Sequence, residues 1–215
     1  MIGSGHIINI LQITIKGGTI MRIYTVQKKR VWEILLRGFP VICNPSYSMA
    51  YTECSAMFKE AYGFMANAMK KTLNEPSLFA LYPMWGWANL EKWKVLGFQY
   101  GKKGDDMCLL TLDIPDSDVL LSDFVAWDCV LQGNYVPQYK EPFLRIMEQR
   151  FLPVLPESDR ERIIRDSWER IFTVDFHENA VQATFWEIKP EYVTDVEFFK
   201  EQHDYKDNRG HNRGH

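Results

Sequence analysis

Residues 107–131 read MCLLTLDIPDSDVLLSDFVAWDCVL. Leu109, Thr111 and Asp113 alternate with Leu110, Leu112 and Ile114, the two-residue period of a β-strand. Pro115-Asp116 breaks that strand, because proline has no amide hydrogen to give to a ladder. A short apolar run, Val119-Leu120-Leu121, follows. Ser122-Asp123 can then cap a helix that carries Phe124, Trp127, Val130 and Leu131 at three- and four-residue spacing. The stretch is a core strand, a turn and a packed helix, and it sets the expectation of an α+β fold.

Working outward, Met21–Gln27 is a strand by its β-formers. A short helix follows over Lys29–Arg37, with Val31, Trp32, Leu35 and Leu36 on one face and a stop at Gly38. Residues 40–52 are loop-like, with Asn44-Pro45-Ser46 as a turn signal. A long helix runs from about Ser55 to Leu73, with Phe58, Ala61, Tyr62, Met65, Met69 and Leu73 at helical spacing. Its methionines fit gap-filling core. The segment YPMWGWANLEKW (82–93) is dense in aromatics, which either bury area or line a pocket where Trp85 and Trp87 stack on a base or a nicotinamide ring. Lys102-Lys103-Gly104-Asp105 is a solvated turn without a phosphate-loop pattern. C-terminal to the central unit, Phe143–Phe151 reads as a helix with Leu144, Met147 and Phe151 aligned. Ser158 and Glu161 form a capping box for the next helix, whose buried face is Ile164, Trp168, Ile171 and Phe172. Val181–Ile188 is expected to be the final strand, with Val181, Ala183 and Phe185 on one side and Gln182, Thr184 and Trp186 on the other.

Composition narrows the function classes. A net charge of −3 and a pI near 6.0 give no electrostatic case for non-specific nucleic-acid binding. Cys43, Cys54, Cys108 and Cys129 match no zinc spacing, and reduced thiols in a cytoplasmic protein are expected. No run of about 18 apolar residues marks a membrane helix. Four of the five histidines (His6, His203, His211, His215) lie in the head and tail, leaving His177 alone, so neither a metal site nor a histidine-based triad is expected. No GxSxG elbow is present. The 28 acids offer so many pairings that a glycosidase pair carries no weight. Residues 1–20 lack the basic region of a signal peptide. Ile8–Ile15 reads as a strand. Alternatively, codons for Lys16-Gly17-Gly18 can spell a ribosome-binding sequence ahead of a natural start at Met21. The domain is then 21–198, with 1–20 as upstream sequence and 199–215 as a disordered polar tail.

The segments MRIYTVQKKRVWEILLRG (21–38), FKEAYGFMANAMKK (58–71), PMWGW (83–87), LLTLDIPDSDVLLSDFVAWDCVL (109–131), SWERIF (167–172) and VQATFWEIKPEYV (181–193) together resemble a bacterial domain-of-unknown-function family, number 3841. That resemblance carries no activity. Tyr24-Thr25 in a first strand, a helix near Trp32 and then Gly38 also resemble the opening of the ADP-ribosyltransferase-like fold. This second resemblance implies a split, mainly antiparallel sheet flanked by roughly four or five helices.

It also implies a function: binding NAD and transferring ADP-ribose to a macromolecule, either a protein or a nucleic acid. Thr25 falls where such enzymes often carry a His, Arg or Asn that holds NAD, and Tyr24, Trp85, Trp87 and Asp123 join it as NAD-site residues. The late strand falls where they carry a catalytic Glu, often in a Gln-x-Glu or Glu-x-Glu pattern. Gln182 is present, but Thr184 stands two residues on, and the nearest carboxylate in the strand is Glu187. Transfer develops positive charge on the ribose, which a carboxylate stabilises and a glutamine does not. Strand alternation puts Glu187 on the face opposite Gln182. Three readings stay open: Glu187 is catalytic with Gln182 structural, another acid such as Asp123 or Glu178 enters from a loop, or the site binds without chemistry. The rival function is a non-catalytic interaction module on the same scaffold.

Overall fold

The computed structural model describes residues 13–15, 18–44, 56–76, 79–139, 141–177 and 180–202. Among them the strands are β1 (Ile13–Ile15), β2 (Gly18–Lys28), β3 (Val41–Ile42), β4 (Met84–Trp87), β5 (Asp106–Pro115), β6 (Leu120–Asp123), β7 (Val181–Phe185), β8 (Glu187–Ile188) and β9 (Val193–Lys200). The helices are α1 (Lys29–Leu35), α2 (Ala56–Thr72), α3 (Lys92–Leu96), α4 (Phe124–Leu131), α5 (Pro142–Gln149) and α6 (Glu157–Ser167). The large sheet has the order β6-β7-β4-β2-β5-β9, with β1 pairing on β2, and a second sheet joins β3 to β8. All of these pairings are antiparallel. No helix among the described residues is long and apolar enough to cross a membrane.

Strand alternation sorts the core onto the two faces of the sheet. On one face Ile23, Leu110, Leu112, Ala183 and Phe185 pack with Leu35 of α1. On the other, Val26, Trp87 and Leu109 pack with Val95 of α3. Further along that second face, Met65 and Met69 of α2, Trp127 and Val130 of α4, and Trp168 and Ile171 enclose Trp186. β5 is buried on both sides along most of its length, as befits the strand between two layers. Arg22 and Asp113, directly opposite on β2 and β5, join through two hydrogen bonds of 2.8 and 2.9 Å.

The central stretch folds as its sequence predicts. β5 ends at Pro115, a 3-10 turn covers Asp116–Asp118, and Asp123 caps α4 by accepting from the amides of Val125 (2.8 Å) and Ala126 (3.1 Å). α1 ends at Leu35, and the turn after it closes at Gly38, whose φ of 83° suits glycine. Elsewhere the structure corrects the reading. Leu36 is 65% exposed, because α1 ends one residue before it. The Ser158–Glu161 box does not form. Pro156 occupies the N-cap position, so α6 begins at Glu157 and Ser158 lies inside its first turn. Val181–Ile188 is not one strand: Trp186 turns into the core, and β8 beyond it pairs with β3 instead of β4. Nor is it the last strand, since β9 pairs along β5. β9 runs to Lys200, two residues past the boundary at 198 drawn from the sequence. Glu201 follows it, buried, and accepts from the backbone amide of Tyr100 at 2.9 Å.

α5 has its polar side inward. Phe143, Leu144, Ile146 and Met147 are exposed, and Glu148 makes the anchor. Its carboxylate accepts from Tyr135 (2.7 Å), Arg170 (2.9 Å) and the amide of Gln138 (3.0 Å). The expectations for Ile8–Gln12, Pro45-Ser46, Cys54 and residues 203–215 lie outside the described residues.

Candidate functional site

The site begins where two neighbouring strands separate. β2 pairs with β5 at nine positions but with β4 at Tyr24↔Trp87 alone. β4 meanwhile stays paired with β7 along its whole length. Gly86 allows the close approach at the pinch point: a Cβ there would lie 2.5 Å from Ile23 Cγ2 and 3.0 Å from the Tyr24 carbonyl oxygen. Beyond the pinch, the Thr25 hydroxyl donates to the Trp85 carbonyl oxygen at 2.7 Å, a side chain standing in for a ladder bond. Gln27 Nε2 donates to the same hydroxyl oxygen at 2.9 Å.

The gap opens into a cleft of about 700 Å³, within the range of small-molecule sites. Its walls come from the end of β2, α1, residues 40–44, β4, Tyr62 of α2, Tyr100, Met107 and Gln182 of β7. The walls are largely aromatic and aliphatic, and Lys28 and Arg30 bring cationic groups to the lining. Lys28 pairs with Asp105 and holds that carboxyl below its ordinary value. Burial pushes the Tyr100 phenol up to about 12, although the N–H bond it accepts from Trp87 at 3.1 Å opposes the shift. Tyr100 therefore stays protonated and donates to the Val95 carbonyl at 2.9 Å.

Thr25, Gln182, Trp85 and Trp87 all line this one cleft. Tyr24, Asp123 and Glu187 are not among its lining residues. Tyr24 sits at the pinch with Lys92 Nζ 6.0 Å from its ring centre. Asp123 is occupied as the α4 cap. Glu187 is 5% exposed, with Lys189 Nζ 3.6 Å from its carboxylate. Its partner across the small sheet, Ile42, does line the cleft. Glu178 lies outside the described residues.

A family model described as domain of unknown function, DUF3841, matches residues 22–194. The chain belongs to this family. No curated protein and no solved structure matches it. The DUF3841 match spans every residue that lines the cleft, so the cleft is part of the family's domain. Among the described residues no group of His, Cys, Asp or Glu is placed to hold a metal ion.

Sequence reasoning missed Tyr62, Tyr100 and Gln27. No motif marks them, and they reach the cleft from helix, loop and strand positions that only the tertiary fold unites. Burial raises the thiols of Cys43, which lines the cleft, and of Cys108, which is pushed up to about 11. Both are held as thiols, the poor form for nucleophilic chemistry.

Proposed function

We propose that the cleft is a small-molecule site that takes NAD in an ADP-ribosyltransferase-like protein. The observation that carries the reading is the meeting of Thr25, from β2, and Gln182, from β7, in one open cleft. The sequence resemblance assigns these two strands to the NAD site. Trp85 and Tyr62 bring aromatic surface to the lining for a ring, whereas the Trp87 ring is stacked on Phe98, and Lys28 and Arg30 suit a pyrophosphate. The Thr25 hydroxyl, 1% exposed, donates once and accepts once within the cleft wall.

In transfer, the bond between ribose C1′ and the nicotinamide nitrogen breaks, and its electron pair leaves with nicotinamide. A nucleophilic group of the acceptor macromolecule then bonds to C1′ and gives its proton to solvent. A carboxylate near C1′ stabilises the positive charge that develops between these events. Glu187 is the acid assigned to this role. Directly opposed strand residues have Cβ atoms about 4.5–5.5 Å apart, so Glu187 stands beside Ile42, which lines the cleft. A second reading, binding without transfer, is favoured by the burial of Glu187 and its pairing with Lys189.

Calorimetry with NAD tests the site. Thr25→Ala should weaken binding by about 0.5–1.5 kcal/mol, one hydrogen bond. Glu187→Gln should leave binding nearly intact and reduce nicotinamide release by about tenfold or more if the protein transfers. Tight binding with no nicotinamide release by the wild type would select the second reading. Absence of NAD binding would remove both.

A further inference from the structure

Three side-chain polar atoms among the described residues are buried without a hydrogen-bond partner: Trp85 Nε1, Ser122 Oγ and Gln182 Oε1. They are not scattered. Gln182 lies directly opposite Ser122 on β6 and opposite Trp87 on β4, and Trp85 is two residues from Trp87. The two-residue period therefore puts all three side chains on one face of three adjacent strands, with Trp85 diagonal to Gln182. Buried polar groups in folded proteins are almost always paired, so three neighbours left unpaired mark a place built for something besides stability.

The chemistry of the atoms limits what that something is. An indole N–H can only donate, and a carboxamide oxygen can only accept. Carried at diagonal positions on one face, a donor and an acceptor complement a planar edge that carries an acceptor next to a donor, which is the edge of an amide. Gln182, 9% exposed, and Trp85 both line the cleft, while the unpaired atoms themselves are buried. The last torsion of a glutamine is soft and roughly two-fold, so half a turn brings Oε1 to the cleft surface and Nε2 toward Ser122.

We propose that Trp85 and Gln182 form an amide-recognition site for a planar ring bearing a primary carboxamide or a lactam edge. The ligand N–H donates to Gln182 Oε1, and the ligand carbonyl accepts from Trp85 Nε1–H. Ser122 Oγ is a positioning residue that accepts from the turned Gln182 Nε2. The inference rests on the cleft being a ligand site, not on the ligand being NAD.

The test is an NMR titration of the ¹⁵N-labelled full chain with benzamide, following the Trp85 indole N–H signal, which is assigned by its loss in Trp85→Phe. Benzamide should shift that signal saturably, and benzoate, which has no N–H to give, should not. Gln182→Leu should weaken benzamide by about fivefold, the worth of one neutral hydrogen bond. Gln182→Glu keeps an acceptor and should retain binding. Uracil in place of benzamide separates a lactam source from a carboxamide source. No saturable shift with either ring, or equal affinity for benzamide and benzoate, would overturn the proposal and assign the unpaired atoms to a buried water. If a variant fails to fold, the wild-type comparison of benzamide with benzoate still decides. NAD binding indifferent to Gln182→Leu and Trp85→Phe, together with no saturable benzamide shift, would sink the amide site and leave the NAD reading standing. Benzamide binding without NAD binding would do the reverse.

Discussion

Gly86→Ala should be the most damaging small change at the β2–β4 pinch. The added methyl carbon would sit 2.5 Å from Ile23 Cγ2, 3.0 Å from the Tyr24 carbonyl oxygen and 3.4 Å from Phe185 Cε1. The Phe185 contact is tolerable, and the other two are not. The Tyr24 oxygen belongs to a backbone held by β5 on its far side, and Ile23 is fully buried, so neither can swing into free space. Overpacking of this kind costs roughly 1–3 kcal/mol, and a clash with two immobile groups belongs in the upper half, about 2–3 kcal/mol. For a chain of this length each kcal/mol moves the melting temperature by about 2–4 °C, so a fall of roughly 4–12 °C is expected by circular dichroism. Ile23→Ala removes the clashing Cγ2. In the double variant the two penalties should therefore sum to less than their separate values, by an amount a double-mutant cycle reads directly. A Gly86→Ala protein that melts within about 2 °C of the wild type, or strictly additive penalties, would show that the strands do not approach as closely as described.

Trp127 and Trp168, each 4% exposed at the seam of the second core, should cost about 3–5 kcal/mol on truncation to alanine, measured by urea unfolding. Trp168→Phe should cost less, because it chiefly removes the N–H bond to the Asn134 carbonyl at 3.0 Å. Glu148 carries a pH prediction. Burial by itself would push its carboxyl up, but the bonds from Tyr135 and the Gln138 amide, with the Arg170 charge, outweigh that and hold it below the ordinary 4.5. A folded pKa below the unfolded one gives stability that is full above the unfolded value and lost as pH falls through the folded value. The stability gap between wild type and Glu148→Gln should therefore be widest near neutral pH and shrink below about pH 4.5. A gap independent of pH would refute it.

The legible parts of this fold are those whose causes are local. Pro115 ends β5, Asp123 caps α4, and the spacing of Trp127 and Val130 gives the buried side, all within a few residues of one another. β4 was not legible as a strand. MWGW has no period, and its conformation comes from pairing residue for residue with β7, about a hundred positions away. β9 was missed for a related reason. As an outer strand it pairs on one side with β5, and its partly buried residues Val193, Val196 and Phe199 fall three apart, which mimics neither a clean strand nor a full helix. The capping-box residues at Ser158 and Glu161 are a sound local signature overruled by Pro156, whose fixed φ starts the helix early. In the cleft, Thr25 and Gln182 were reached by resemblance, and Trp85 and Trp87 by composition. Tyr62 and Tyr100 carried no cue, because a tyrosine on a helix or in a loop looks the same whether it faces water, core or ligand.

The break at Trp186 bears on the chemistry as well as on the fold. Placing Glu187 opposite Gln182 by alternation assumes a single ladder from 181 to 188, since only within one ladder does the pleat fix successive side chains on opposite faces. β7 and β8 belong to different sheets, so that inference has no force across residue 186. What governs Glu187 instead is its pairing with Ile42 and its ion pair with Lys189. A buried carboxylate that leaves its lysine forfeits most of what compensates its lost hydration, so moving toward the cleft needs another positive charge at the destination. In the proposed NAD reading, the ribose would provide one only as the glycosidic bond breaks. A carboxylate held by Lys189 before that moment and drawn forward during it would favour the transition state over the bound substrate, the differential binding that catalysis requires. The same ion pair, undisturbed by ligand, makes Glu187 a structural acid. Nicotinamide release by Glu187→Gln therefore decides more than whether the cleft is occupied.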